Sequence, residues 1–154
     1  MSDRISAWAA KWRISPEALK ELYDLDALEP DAEVRGEAAV VRECRLTADG
    51  HNAVLWRNNS GATFDQTGRM IRYGLGNDSA KLSRDYKSSD LVGIGPGGVF
   101  MAVECKAPGW KGPKNDRDRA QANFMNHVRA MGGRATFATS GAHVVSAIMG
   151  RPWI

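Results

Sequence analysis

Three charged residues stand at the ends of two apolar runs: Asp90 heads "DLVGIG", while Glu104 and Lys106 close "VFMAVECK". The runs flank Pro96-Gly97-Gly98. That tripeptide reads as a three-residue hairpin loop, with Pro first and Gly98 in the left-handed position such loops favour. If Gly95 and Val99 close the hairpin, Asp90 falls directly across from Glu104, and cross-strand partners share a sheet face. Lys106, two residues beyond Glu104, points to that same face, and Cys105 points the other way, towards the core.

Two adjacent carboxylates destabilise a sheet unless something reconciles them. A divalent cation would do so, because Mg²⁺ or Mn²⁺ takes oxygen ligands, typically one or two carboxylates with waters and phosphate oxygens. A metal also lowers the pKa of bound water. Lys106 could then orient or deprotonate that water, or stabilise charge on an attacked phosphate. Taken alone, an E-x-K on a strand usually marks a solvent face with a surface ion pair of little worth. The apolar "FMAV" before Glu104 argues instead for a buried strand with charges at its exit.

The elements that must hold these groups are readable around them. The apolar spacing of "GEAAVVRECRLTADG" predicts a helix from about Arg35 to Ala48, closed by Gly50. "HNAVLWRN" predicts a strand, and "GATFDQTGRMIRYG" a hairpin around Gln66-Thr67-Gly68. "GNDSAKLSRDYKSS" is a polar, basic loop or short helix. After the two strands of the central hairpin come a long helix over "DRDRAQANFMNHVRAMGG", a strand in "RATFATS" and a short helix in "GAHVVSAIM". This order implies an α/β fold, a mixed sheet with helices packed on it. Upstream, "ISAWAAKWRISPEALKELYDL" reads as two short helices, the second capped by Ser15 with Pro16 at its first position. "LEPDAEVRG" follows as a linker, so residues 1–33 form a small helical arm and 34–154 the main domain.

Taken together, "SSDLVGI", "VFMAVECKAPG" and Gln121 resemble the VRR-NUC group of the PD-(D/E)xK nuclease superfamily. That pattern has an acid at one strand start, E-x-K on the next strand and a glutamine on the following helix, matching Asp90, Glu104, Lys106 and Gln121. The segment from Trp56 to Ile94 is similar to the short stand-alone members, largely from phages and bacteria. The likeness covers roughly residues 35 to 140. It implies a restriction-endonuclease-like fold and a Mg²⁺- or Mn²⁺-dependent nuclease. Metal ligation would come from Asp90, Glu104 and the backbone carbonyl of Cys105, with Glu37, on the first core helix, reaching in directly or through water. Glu43 on the same helix is the rival for that last place. Lys106 would be the catalytic base or water-positioning group, and Gln121 would orient the lysine or a substrate phosphate. Stand-alone members are associated with homodimers that cut branched DNA such as four-way junctions.

The surrounding residues suit a polyanionic partner. Residues 1–33 carry four basic and eight acidic side chains, a net of −4, against seventeen basic and ten acidic in 34–154, a net of +7. Lys111, Lys114, Arg117 and Arg119 crowd the Gly/Pro-rich segment after Lys106, suited to hold a phosphate backbone without reading sequence. Arg57 and Asn58 at a strand end, and Lys87 before Asp90, are further candidate DNA contacts. Trp110 could stack on a base or anchor its loop.

Several classes are excluded or disfavoured. No apolar run approaches a membrane span and no signal peptide is evident, which predicts a cytoplasmic protein. Cys44 and Cys105 form no C-x-x-C pair, and His51, His127 and His143 lack metal-ligand spacing. "GLGND" is followed by no Gly-Lys-Ser/Thr, so no nucleotide loop is expected. The expected activity is a structure-selective endodeoxyribonuclease acting as a homodimer. The alternatives are a same-fold nuclease on ordinary duplex or single strands, and a non-catalytic DNA-binding module.

Overall fold

The computed structural model describes residues 9–15, 18 and 36–154. The chain divides into two compact units, Met1–Arg35 and Gly36–Ile154. Most of the expected N-terminal helix pair lies outside the described residues. Within them, Ser15 Oγ accepts the Ala18 N–H at 3.1 Å, as an N-cap does.

The second unit is an α/β domain. Its elements run α1 (Glu37–Asp49), β1 (Val54–Arg57), β2 (Gly61–Phe64), β3 (Met70–Tyr73), α2 (Ala80–Asp85), β4 (Leu91–Gly95), β5 (Val99–Cys105), α3 (Asp116–Ala130), β6 (Arg134–Ala138) and α4 (Gly141–Ile148). Four strands form a mixed sheet in the order β1-β4-β5-β6, antiparallel except for the parallel β5–β6 pair. The β2–β3 hairpin forms a separate two-stranded sheet rather than joining the main one.

The alternation of the strands sends side chains to two apolar layers. On one face Leu55, Leu91, Met101, Val103 and Cys105 pack with Val40, Cys44 and Ala48 of α1 and Val144 and Ala147 of α4. The 40/44/48 spacing is a single stripe on a 3.6-residue helix. On the other face Ala102, Ala135 and Phe137 pack with Met125 and Val128 of α3. Each such large side chain contributes about 1.5–3 kcal/mol on burial. Trp56, Ile94 and Phe100 are exposed on the sheet, and their register places them on the α3 face beyond the α3 packing.

Two backbone positions set the sheet geometry. Gly97 and Gly98 both take φ of +78°, so the turn uses two left-handed residues where the sequence pattern required one. At Gly93 a Cβ would lie 1.8 Å from the Val54 carbonyl oxygen, so only glycine lets β1 lie this close to β4. Gly50 caps α1 without leaving the right-handed region (φ −69°), and the left-handed residue that redirects the chain is Asn52 (φ +56°).

Candidate active site

The β4–β5 register has Gly95 opposite Val99 and Leu91 opposite Val103, as the turn chemistry predicts. Asp90 therefore sits one residue before β4, across from Glu104. Two hydrogen bonds lock the corner: the Asp90 N–H donates to Glu104 Oε2 and the Cys105 N–H donates to Asp90 Oδ2, each at 3.1 Å.

Glu104 and Lys106 emerge on the face that α3 covers, and α3 completes their environment. Lys106 Nζ lies 3.2 Å from Glu104 Oε1, 2.9 Å from Gln121 Oε1 and 3.0 Å from Asp118 Oδ1. Gln121 Nε2 donates back to Glu104 Oε1, so one amide bridges the carboxylate and the ammonium. Glu104, Lys106, Asp118 and Gln121 are all buried. Burying four polar groups is tolerable only because each has charged or hydrogen-bonding partners.

Asp118 is the member that the sequence pattern did not single out. It occupies the third position of α3, where the Asn115 side chain caps its N–H at 2.8 Å and its own Oδ2 accepts the Lys114 N–H at 3.1 Å. The N-x-x-D spacing of "NDRD" is close to a reciprocal capping box. That spacing, with Gln121 three residues on, is the signal that could have found it.

The electrostatics follow from this packing. Burial, then the neighbouring Asp90 carboxylate, push the Glu104 carboxyl up to about 7, against the opposing pull of Lys106. Burial works against the Lys106 charge, but Glu104 and Asp118 outweigh it and hold the ammonium above the ordinary lysine value. Asp118 stays below the usual carboxylate range: desolvation opposes this, and the Lys114 N–H and Lys106 prevail. Lys106 is thus held protonated, which suits the water-orienting and charge-stabilising roles left open by its position better than proton abstraction.

A cavity of about 400 Å³ opens at this corner, lined by Glu37, Asp90, Glu104 and Lys106 on one side and by Trp110, Lys114, Arg117 and Asp118 on the other. Glu37 enters it from the first turn of α1. Glu43 points elsewhere: its Oε1 accepts the Gly141 N–H at 2.8 Å at the start of α4. The fit to a divalent cation rests on the donor set. Asp90 and Glu104 are hard oxygen donors whose mutual repulsion a cation would reverse, and Glu37 lines the same space. Among the described residues no group of three or more His, Cys, Asp or Glu closes into a metal cage. Mg²⁺ commonly takes one or two carboxylates and completes its shell with water or phosphate, and the Asp90 and Glu104 donors are compatible with that mode.

The other candidate contacts separate. Lys114 and Arg117 line the cavity, whereas Lys111 is exposed outside its lining. Arg119 is taken up by an ion pair with Asp116. Asn58 is a brace: Nδ2 donates to Ser88 Oγ at 3.0 Å and the Ser89 carbonyl at 2.8 Å, and Oδ1 accepts the Leu75 N–H at 3.4 Å. Those bonds fix the segment before Asp90 and engage both ends of the Asn58 amide within the protein. The Lys87 N–H donates to the Ala120 carbonyl at 3.1 Å, tying that segment to α3 as well. Arg57 remains exposed at the end of β1. Trp110 stacks on Phe137 with ring centres 4.6 Å apart and meets Trp153 edge-on, so it anchors its loop.

A larger hollow of about 530 Å³ lies along β3, with the carboxylates Asp65 and Asp78 in its lining; Asp65 is engaged by the turn, accepting from the Thr67 N–H and hydroxyl and the Arg69 N–H. No comparable set of groups converges there. Among the described residues no helix is long and apolar enough to cross a membrane. Compared with protein-family models and with curated proteins, the chain matches none.

Proposed function

We propose that this chain is a Mg²⁺- or Mn²⁺-dependent nuclease that hydrolyses DNA phosphodiester bonds on a restriction-endonuclease-like fold. The observation that carries the reading is the convergence of Asp90, Glu104, Lys106 and Gln121 at one corner of the sheet, facing a cavity that Lys114 and Arg117 also line. A pure DNA-binding surface has no use for paired carboxylates beside phosphate, since they repel it.

Asp90, Glu104 and the Cys105 carbonyl would hold the metal, with Glu37 in reach of the same space. When bound, the ion supplies Lewis acidity, drawing charge from a phosphate oxygen and lowering the pKa of water. The chain's own groups do the rest. Gln121 fixes Glu104 relative to Lys106, so neither rotates when substrate enters. The Lys106 ammonium is positioned to orient water and to stabilise negative charge developing on the phosphate. Lys114 and Arg117 draw the backbone into the cavity without selecting sequence.

The preference for branched DNA and the homodimer rest on the family resemblance. Symmetry adds to the second, because cutting two strands equivalently calls for two sites related by a two-fold axis. The test is incubation of a labelled four-way junction and matched linear duplex with Mg²⁺ or Mn²⁺. Cleavage of the junction, lost in Lys106→Ala and Glu104→Ala while binding persists, is expected. Equal cutting of the duplex would remove branch selectivity and leave the nuclease. Binding without cleavage in either metal would make the chain a non-catalytic module. A monomer at micromolar concentration by light scattering would remove the dimer.

A further inference from the structure

A second basic feature involves α1, the helix that carries Glu37. Between α1 and the edge strand β1 runs a cleft of about 310 Å³ bordered by Arg42, Arg45 and Arg57, with Ala38 at one end and Asp49 at the other. Three guanidiniums face one carboxylate there. Among the described residues, no carboxylate lies within ion-pair distance of the three arginines. Arg45 is also positioned: its Nε donates to the Leu55 carbonyl on β1 at 3.2 Å, which leaves both terminal nitrogens of its fork available.

Two links in the chain tie the lining of this cleft to the candidate active site. Glu37 lines the cavity and its neighbour Ala38 lines the cleft, both on the first turn of α1. Arg57 pairs with Leu91, the residue after Asp90, and the next N–H, of Asn58, donates to the Asp90 carbonyl at 2.7 Å. From Glu37 to Arg45 is eight residues of helix, about 12 Å at about 1.5 Å per residue. That spans three to four nucleotides at about 3.4 Å of rise each.

We infer that Arg42, Arg45 and Arg57 form a phosphate-backbone cleft that carries a DNA strand away from the candidate active site along α1. The inference rests on the nuclease reading and extends it to residues outside the catalytic corner. Guanidinium forks match phosphate geometry, and a row of them without carboxylate partners has its donors free for an external anion. Lys114 and Arg117 flank the catalytic corner from the α3 side, so the backbone would be held on both sides of the scissile position.

The test is fluorescence anisotropy of a labelled four-way junction and a linear duplex in Ca²⁺, at salt from 50 to 300 mM. In Arg42→Gln/Arg45→Gln, affinity at about 100 mM salt should fall at least tenfold for both DNAs, and the slope of log K against log salt should shrink by about two. A control with the same charge change, Arg69→Gln/Arg151→Gln, should bind within about threefold of wild type. Unchanged affinity and slope in the cleft variant, with Lys114→Gln/Arg117→Gln still weakened, overturns the cleft and leaves the nuclease reading intact. An equal loss in the control also overturns it, since the effect would then be net charge alone. Wild-type protein that neither binds nor cleaves DNA would remove both readings.

Discussion

Asp118 Oδ1 lies 3.0 Å from Lys106 Nζ, and its other oxygen accepts the Lys114 N–H at 3.1 Å. One carboxylate therefore ties the candidate catalytic lysine to the basic loop that enters α3. We predict that Asp118→Asn lowers cleavage about 10- to 100-fold, the range typical of groups that orient a functional side chain. DNA affinity should stay within about threefold of wild type. Single-turnover rates beside binding isotherms check this. A loss confined to affinity would mean that Asp118 only shapes the loop.

The Glu104 carboxyl, raised from 4.5 to about 7, makes stability depend on pH in a defined sense. The native state holds a proton that the unfolded chain releases at about 4.5, so stability is lost as pH rises from about 4.5 to about 7 and stays lost above it. The contribution is about 3 kcal/mol at 1.36 kcal/mol per pKa unit. Urea melts of the metal-free protein at pH 5 and pH 8 should show this fall, and Glu104→Gln should remove most of it. An unchanged difference in Glu104→Gln would assign the effect to other groups.

Mg²⁺ should act on the same carboxylates. At a hundred times its dissociation constant it should stabilise the protein by about 2.7 kcal/mol, a rise of several degrees in Tm. Asp90→Asn should abolish that rise and yet raise the metal-free Tm, because it removes the like charge beside Glu104. Thermal scans with and without metal measure both effects. A metal-free Tm that falls in Asp90→Asn would show that the Cys105 N–H bond matters more than the repulsion.

The two glutamates of α1 should behave oppositely. Glu37→Gln is expected to cut cleavage at least tenfold with little change in stability. Glu43→Ala should cost about 1–2 kcal/mol, since it removes a cap from the first N–H of α4, and leave cleavage near wild type. Activity and denaturation of the two variants side by side decide it. The reverse pattern would move the helical glutamate of the site to Glu43.

Gly93→Ala tests how the site's supporting strands are held. Its Cβ would sit 1.8 Å from the Val54 carbonyl oxygen, so β1 must shift or detach. We expect a loss of at least about 3 kcal/mol, at the upper end for single substitutions. An alanine tolerated within about 1 kcal/mol would show that β1 is not tightly paired in solution.

Local patterns determined much of this protein. Period-2 and period-3.6 apolar spacing located the elements of the main domain, and the Pro-Gly-Gly turn set the hairpin register, because turn geometry and side-chain alternation act over a few residues. The meeting of Asp90, Glu104 and Lys106 was legible for that reason, since all three belong to one hairpin. Gln121 could be named from the family pattern alone, because nothing local ties a helical glutamine to a strand. Packing decided the rest. Asp118 joined Lys106 because α3 lies across β5, Asn58 became a brace because its partners come from 88–89 and 75, and Glu43 became a cap because α4 begins against α1. A polar side chain's role depends on which distant backbone groups it meets, and that choice is made only when the apolar layers bring the elements together.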